Sequence, residues 1–236
     1  MINFLKRFIP ARREELMFFP LISTILFVIG HAILWLVMIF DKSADATSFE
    51  MGTTLALMSL LFNALFGASS YSSSFNYALS MSQTRTRIIT GLLAVSFIKG
   101  SVIITLTALF NLIESNVCKK IFSEVPMESN LSVIFKPHYM LLIVLVYVAF
   151  EAFLGAIYTK FGATAFAVLW VGTILFLQVP VKIIDKLAEK NPNYIARVFE
   201  ALSKMNGKLL YFSVLAVLIL LTLLPYALLK KQRVTL

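Results

Sequence analysis

The stretch "FNYALSMSQTRTRIITG", residues 75–91, is a short polar interruption between two long apolar runs. It contains two arginines, Arg85 and Arg87, together with several small or hydroxyl-bearing residues, and it is too short to form a domain. The runs on either side exceed the roughly 18 apolar residues that a helix needs to cross about 30 Å of hydrocarbon. The stretch therefore predicts a compact turn between two membrane-spanning helices.

The composition of the whole chain supports this interpretation. Of its 236 residues, 59% are hydrophobic and 14% are charged, whereas soluble domains average roughly 45–50% apolar and about 25% charged residues. We predict an all-α membrane protein in which residues 1–236 form a single transmembrane domain. Six transmembrane helices are predicted, at residues 17–40, 51–71, 88–113, 138–159, 163–179 and 209–229.

The predicted segments outside the spans are amphipathic. Residues 2–16 combine apolar and basic side chains at helical spacing, which predicts an interfacial helix in the headgroup layer. Residues 181–206 form two short amphipathic segments separated at Asn191–Pro192, which predicts a pair of outer re-entrant helices. Residues 114–137 read as a modest outer loop without a site. No cleavage pattern follows the first span, so we interpret it as a retained helix and not as a signal peptide.

The predicted orientation of the chain in the membrane follows from the positions of its basic residues. Six spans put both termini on one side, and Lys and Arg divide evenly between the two faces. We place both termini in the cytoplasm because the first helix usually dominates orientation, and because the basic residues of that face are more densely clustered. The net charge of +9 then indicates attraction to anionic lipid, and no nucleic-acid partner is needed to explain it.

Two charged residues lie inside predicted spans, Lys99 in the third and Glu151 in the fourth. Each charge costs at least about 2.5–3.5 kcal/mol in the bilayer unless it is paired or hydrated. We predict that the two side chains pair, or that both face an aqueous cavity. Whether they belong to a transport pathway or only join two helices stays open.

The remaining polar residues inside the spans are predicted to have structural roles. His31 and Trp35 are one helical turn apart in the first span, and Asn63 and Gln178 lie in the second and fifth. Such residues are usually interhelical hydrogen-bonding groups and not ligands. The single cysteine, Cys118, cannot form an intramolecular disulfide, and no Cys/His cluster suggests a metal site.

Catalytic motifs are missing from the sequence. There is no G-x-x-x-x-G-K-[ST] phosphate loop, no H-E-x-x-H zinc motif, and no pair of carboxylates at acid/base spacing. We therefore expect neither enzymatic activity nor a cofactor or metal in this chain.

The order of these parts resembles the permease subunits of ABC-2-type ATP-binding-cassette exporters, in particular the small members from Firmicutes-like bacteria, and the resemblance covers essentially the whole chain. Such members carry an aromatic–x–x–Ala–Leu–small–small–Gly–x–Ser/Thr–Arg run between the second and third spans. Ser82 stands where the family commonly has glycine, and "YTKFG" at 158–162 is a weaker similarity. The matching residues are Phe75, Tyr77, Ala78, Leu79, Ser80, Thr84 and Arg85.

The resemblance implies a permease subunit that exports substrate across the bacterial cytoplasmic membrane by alternating access. Its partners would be a second permease subunit, identical or paralogous, and two copies of a separate ATPase subunit that binds ATP and Mg. An amphipathic or antimicrobial-type peptide is a candidate substrate. Segment 72–87 would be the coupling helix, with Tyr77, Leu79, Ser80, Met81, Gln83, Arg85 and Arg87 facing the ATPase, and the outer gate would include Tyr194, Ile195, Val198 and Phe199.

Two alternatives stay open. A six-span substrate-binding component of a vitamin or metal uptake transporter would hold a small ligand between its helices and join a separate scaffold. A structural or regulatory membrane protein without a transport role is also compatible with the sequence, because no single site compels transport. Co-purification with an ATPase distinguishes the exporter from both.

Overall fold

The computed structural model describes residues 13–40, 50–81, 83–121, 131–190, 216, 218 and 222–230. Four long helices make up most of this part of the chain: α1 (Arg13–Phe40), α2 (Met51–Ser80), α3 (Arg85–Ile121) and α4 (Pro137–Lys190). A short 3-10 turn (Leu131–Val133) precedes α4, and residues 222–230 are also helical. Most of the predicted interfacial helix, the second half of the predicted outer pair and much of the sixth span lie outside the described residues.

Four helices are long and apolar enough to cross a membrane, judged over the described residues by length and composition. These candidate spans are Arg13–Phe40, Met51–Ser80, Arg85–Cys118 and Pro137–Thr164. The predicted all-helical class is therefore confirmed over the described residues, and the four candidate spans support a membrane protein. The count of six spans and the additional helices remain predictions.

Helix α2 packs against α1, α3 and α4 and is the central element of the bundle. Its contacts with α1 show that the two helices are antiparallel. Near one end of the pair, the Ser23 hydroxyl of α1 donates to the Ala56 carbonyl of α2 at 3.4 Å. Near the other end, the Ser70 hydroxyl of α2 donates to the Glu15 carboxylate of α1.

Helix α3 is also antiparallel to α2. Glu114, late in α3, accepts a hydrogen bond from Gly52 at the start of α2. Lys99, earlier in α3, lies beside Gly67, later in α2. The register between these two helices is therefore fixed at two well-separated points.

Helix α4 runs parallel to α2, since Gly67 lies beside Glu151 and, one turn further along both helices, Tyr71 lies beside Gly155. The first four helices thus alternate in direction, as expected when short connections join consecutive helices of a bundle. Lys99 on α3, Glu151 on α4 and Gly67 on α2 are brought to the same level by this arrangement.

The bundle buries many polar side chains beside apolar ones, and it exposes many large apolar side chains. Thr53, Ser59, Asn63, Thr107 and Glu114 are completely buried. Large apolar side chains of the same two helices face outward, among them Met58, Leu61, Phe66, Leu109 and Leu112. Soluble proteins bury their apolar side chains, whereas helices in lipid associate through small and polar residues. The distribution of side chains therefore supports the membrane class independently of hydropathy.

The predicted boundary of the second span at residue 71 differs from the structure, because α2 continues to Ser80. Serines in this region bond to carbonyls one turn back within the helix, as from Ser73 to Ser69 at 3.1 Å and from Ser74 to Ser70 at 2.8 Å. These hydroxyls are thus satisfied without leaving the helix. Most of the predicted coupling segment 72–87 is the end of α2 and the start of α3, and not a separate helix.

The structure also bears on two other predicted boundaries, the end of the third span and the division between the fourth and fifth spans. The prediction of a loop beginning at residue 114 is wrong, since α3 extends to Ile121 and Glu114 lies within it. In α4 the backbone leaves the helical conformation at Gly162 (φ 82°, ψ 179°), a positive φ that favours glycine. This break coincides with the boundary predicted between the fourth and fifth spans.

Candidate functional site: a buried ion pair and its surroundings

The Lys99 ammonium and the Glu151 carboxylate form an ion pair in the centre of the bundle. Their side chains are only 2% and 3% exposed. Of the two predicted arrangements, direct pairing is therefore the one that the structure contains. Removing one partner of such a pair leaves an uncompensated buried charge, which is far more costly than removing both.

Gly67 makes room for this ion pair on the neighbouring helix. A β-carbon at position 67 would contact the paired Glu151 oxygen and would lie 3.1 Å from both the Glu151 Cδ and the Lys99 Nζ. The contact is too close for a side chain. Glycine therefore lets the backbone of α2 approach the pair, in the way that small residues allow close packing between membrane helices.

Aromatic rings cover the ammonium group. The Lys99 Nζ lies 4.4 Å from the centroid of the Phe19 ring on α1 and 5.8 Å from that of the Tyr147 ring on α4. Both distances are within the range of cation–π attraction, which is strengthened by desolvation. All four helices thus contribute to the surroundings of the pair.

Several polar atoms near the pair lack a hydrogen-bond partner in the structure. They are the second Glu151 oxygen, Oε2, and the hydroxyls of Tyr71 and Tyr147. Both side-chain polar atoms of Asn63 are also without a partner, so the interhelical hydrogen bond predicted for this residue is not formed in this structure. The ring of Tyr71 packs against Gly155, where a β-carbon would lie 2.5 Å from its Cγ.

A second buried carboxylate caps α2. Glu114 accepts hydrogen bonds from the backbone N–H groups of Gly52 and Thr53, at 2.9 and 2.8 Å, and from the Thr53 hydroxyl at 2.7 Å. These amides are among the first N–H groups of the helix, which have no intrahelical acceptor. The negative charge also complements the positive end of the helix dipole. Glu114 is therefore satisfied although it is completely buried.

His31 connects this cap to α1. Its Nδ1 lies 3.4 Å from the Glu114 Oε1, and its Nε2 accepts a hydrogen bond from the Trp35 indole at 3.0 Å. The indole N–H can only donate, so Nε2 carries no proton and Nδ1 carries it when the ring is neutral. The neutral Nδ1–H tautomer thus donates to Glu114. The role predicted for His31, an interhelical hydrogen bond, is the one that the structure contains.

The residues predicted to face a partner lie at the end of the α2–α3 hairpin. Tyr77 and Met81 are 64% and 55% exposed, and Arg87 is also exposed. Leu79 and Gln83 are half-buried, and the exposed Ser80 hydroxyl donates to the Tyr77 carbonyl at 2.7 Å. Beneath them, Phe75, Ala78, Ile88, Ile89 and Leu92 form a buried apolar cluster together with Ala152, Ala156 and Leu229.

Arg85 has an additional intramolecular role. Its guanidinium donates a hydrogen bond to the Lys230 carbonyl at 3.2 Å, at the end of the helical segment 222–230. A cation at this position interacts favourably with the negative end of a helix. Leu229 of the same segment is completely buried in the hairpin cluster. Arg85 and Leu229 thus attach segment 222–230 to the hairpin.

The predicted outer-gate residues Tyr194, Ile195, Val198 and Phe199 lie outside the described residues. Among the residues that the structure describes, no group of three or more His, Cys, Asp or Glu side chains could hold a metal ion.

Sequence reasoning missed Glu114, Gly67, Tyr71 and Tyr147 as neighbours of the functional groups. A signal for Glu114 was available, since Thr107, Asn111, Glu114 and Cys118 recur at helical spacing and continue the face that carries Lys99. All of these residues are buried. Gly67 and the small residues that follow it predict a close helix–helix contact. Which residues of α3 and α4 lie opposite Gly67 had no comparable signal.

The fold and this site define a helical protein with four candidate membrane spans and with charged and polar groups buried between its helices. Comparisons of the chain with protein-family models, with curated proteins and with solved structures find no match.

Proposed function

We propose that this chain is the permease subunit of an ATP-driven exporter, in which a separate ATPase subunit binds the end of the α2–α3 hairpin. The proposal extends the resemblance to ABC-2-type permeases found in the order of sequence elements. The observation that carries it is the hairpin end, where exposed Tyr77, Met81 and Arg87 lie directly above a buried apolar cluster.

The length of α2 supports this role for the hairpin. Its 30 residues correspond to about 45 Å at a rise of about 1.5 Å per residue, whereas the hydrocarbon layer is about 30 Å thick. A helix lying near the bilayer normal therefore extends into the aqueous layer. The same helix carries Gly67 against the Lys99–Glu151 pair, so a force applied at its end would reach the ion pair through a continuous helix.

The exposed residue types also favour a protein partner at the end of the α2–α3 hairpin. Exposed tyrosine, methionine and arginine are residue types enriched in protein–protein interfaces. Arginine pairs well with carboxylates of a partner through its planar, multidentate donor group. Substrate movement would occur between two permease subunits in alternating inward-open and outward-open states, with an amphipathic peptide as the candidate cargo.

Co-purification tests the proposal. The tagged chain is extracted from membranes of its native host in mild detergent, and the eluate is analysed by mass spectrometry and for ATP hydrolysis. We expect an ATP-binding-cassette ATPase in the eluate, and we expect Arg87→Glu to remove it. Lys160→Glu is the matched control, because Lys160 is exposed on α4 at the same end of the bundle.

Two outcomes would contradict the proposal. One is the absence of any ATPase from the eluate of the unaltered chain. The other is undiminished ATPase association in Arg87→Glu. Recovery of a tightly bound small ligand together with a separate membrane scaffold would instead favour the uptake-transporter alternative.

A further inference from the structure

The ion pair at the centre of the bundle is surrounded by polar atoms that the protein itself does not satisfy. In the described part of the chain, Glu151 Oε2, the Tyr71 hydroxyl and the Tyr147 hydroxyl have no hydrogen-bond partner. Glu151, Tyr71 and Tyr147 are 2%, 3% and 4% exposed. Asn63, which is completely buried, has an unpaired carboxamide oxygen and nitrogen.

These groups lie on two facing helix surfaces. Asn63, Gly67 and Tyr71 follow one another at intervals of one turn on α2, and Tyr147 and Glu151 are one turn apart on α4. Because Gly67 lies beside Glu151 and the two helices are parallel, these residues of both helices flank the level of the ion pair. Lys99 from α3 closes the third side.

Leaving these atoms unpaired would be costly. A buried polar group without a partner costs about 1–3 kcal/mol, and nearly all such groups in native proteins are satisfied either by protein atoms or by ordered water. The Tyr147 phenol lies close enough to the Glu151 carboxylate to interact with it as a hydrogen-bonding neighbour, but the contact does not meet strict hydrogen-bond geometry. Polar groups that are close but not bonded are the usual place for a bridging water.

The charge of the site favours a neutral guest. Lys99 and Glu151 together carry no net charge, so an added cation or anion would be a buried charge without a counter-ion. Water has no such cost, and it can both donate to the carboxylate and accept from the phenols. Buried waters typically make about three hydrogen bonds to otherwise unsatisfied groups, and the surrounding atoms offer that number of partners.

We propose that bound water occupies the space around the Lys99–Glu151 pair and joins Glu151 Oε2 to the hydroxyls of Tyr71 and Tyr147. This makes the pair the centre of a hydrated site inside an otherwise lipid-exposed bundle. The two charges can then separate without losing all their hydrogen bonds, because water replaces the partner. The inference does not depend on transport or on an ATPase.

X-ray radiolytic labelling of the full-length chain in lipid nanodiscs tests this site. Hydroxyl radicals formed from bound water oxidise the adjacent side chains, and mass spectrometry locates the products. We expect Tyr71 and Tyr147 to be oxidised several-fold more than Phe75, which is completely buried in an apolar cluster. The rates are normalised to those of the unfolded chain, and exposed Tyr77 serves as the positive reference.

A variant tests which hydroxyl groups the water contacts. Tyr147→Phe removes one hydroxyl of the proposed site and should lower the oxidation of Tyr71 several-fold, whereas Tyr139→Phe, at a residue 41% exposed, should not change it. Labelling of Tyr71 and Tyr147 no stronger than that of Phe75, with Tyr77 strongly labelled, would show a dry site and overturn the inference. Unchanged labelling of Tyr71 in Tyr147→Phe would overturn the bridge between the two phenols. If the variant does not fold, the labelling of the unaltered chain decides.

Discussion

Gly67 on α2 and Glu151 on α4 are in direct contact, and a β-carbon on Gly67 would lie 3.1 Å from the carboxylate carbon of Glu151. The same β-carbon would lie 3.1 Å from the Lys99 ammonium. Three helices therefore meet at one glycine and one ion pair. This contact limits how closely α2 can approach α3 and α4, and a side chain at position 67 would displace the ion pair or the helix.

Gly67→Ala should destabilise the bundle, because the added methyl group must push the ion pair or the α2 backbone aside. Overpacking of a well-packed interior typically costs about 1–3 kcal/mol. Denaturant unfolding in detergent micelles measures the change. Gly172→Ala is the matched control: a β-carbon added there would meet nothing within 4 Å, and alanine is the better helix former. Equal stability of the two variants would contradict the close contact at Gly67.

Lys99→Met and Glu151→Gln should be strongly coupled. Each single change leaves the other group buried without its partner, with a loss of about 3–5 kcal/mol, whereas the double variant removes both members of the pair. We expect the double variant to lose much less stability than the sum of the two single losses. A double-mutant cycle by thermal unfolding measures the coupling. Additive losses would show that the two groups do not stabilise each other.

If the chain is a transporter as proposed, the same three variants separate a structural role of the pair from a role in transport. If the pair only joins α3 and α4, transport in reconstituted vesicles should recover in the double variant together with stability. If the charges act in the transport cycle, the double variant should be stable and inactive.

Glu114→Gln should loosen the beginning of α2. Hydrogen bonds to a charged group contribute about 1.5–3 kcal/mol each before the partners rearrange, and the amide also places an N–H donor among donors from Gly52 and Thr53. We expect lower stability and faster hydrogen exchange at the first amides of α2. Glu14→Gln, at an exposed carboxylate on α1, should leave both unchanged. Unaltered exchange at Gly52 and Thr53 in Glu114→Gln would argue against the cap.

Arg85→Ala should release segment 222–230 from the α2–α3 hairpin, since it removes the hydrogen bond to the Lys230 carbonyl. Hydrogen–deuterium exchange followed by mass spectrometry should show faster exchange in this segment. Arg87→Ala, two residues further along α3 with an exposed side chain, is the control and should not alter the exchange. Faster exchange in both variants would point to a general loosening of the hairpin instead of a specific contact.

Much of the architecture could be predicted from local features of the sequence. The apolar windows predicted α1 to α4 as spanning helices, and the boundary predicted at "YTKFG" coincides with the break found at Gly162. Pairing of Lys99 with Glu151 could also be predicted, because two opposite charges inside apolar spans have few other ways to be neutralised.

Other features could not be predicted because they depend on distant parts of the chain. Helical spacing could have placed Glu114 on the buried face of α3, but only the tertiary structure shows that it meets the N-terminus of α2. The serines of "SSYSSS" that follow Gly67 and Ala68 looked like the end of a span. The hydroxyls of Ser73 and Ser74 instead bond within α2, and the helix continues to Ser80.

By itself, the sequence determined that this is a helical membrane protein, because the length of an apolar run is compared directly with the thickness of the hydrocarbon layer. It also determined that its few internal charges had to find partners. Only the tertiary structure decided which groups meet: Gly67 with the ion pair, Glu114 with the start of α2, and Arg85 with the end of segment 222–230. The physical reason is that direction and register between helices arise from packing of residues far apart in the chain, which no local pattern records.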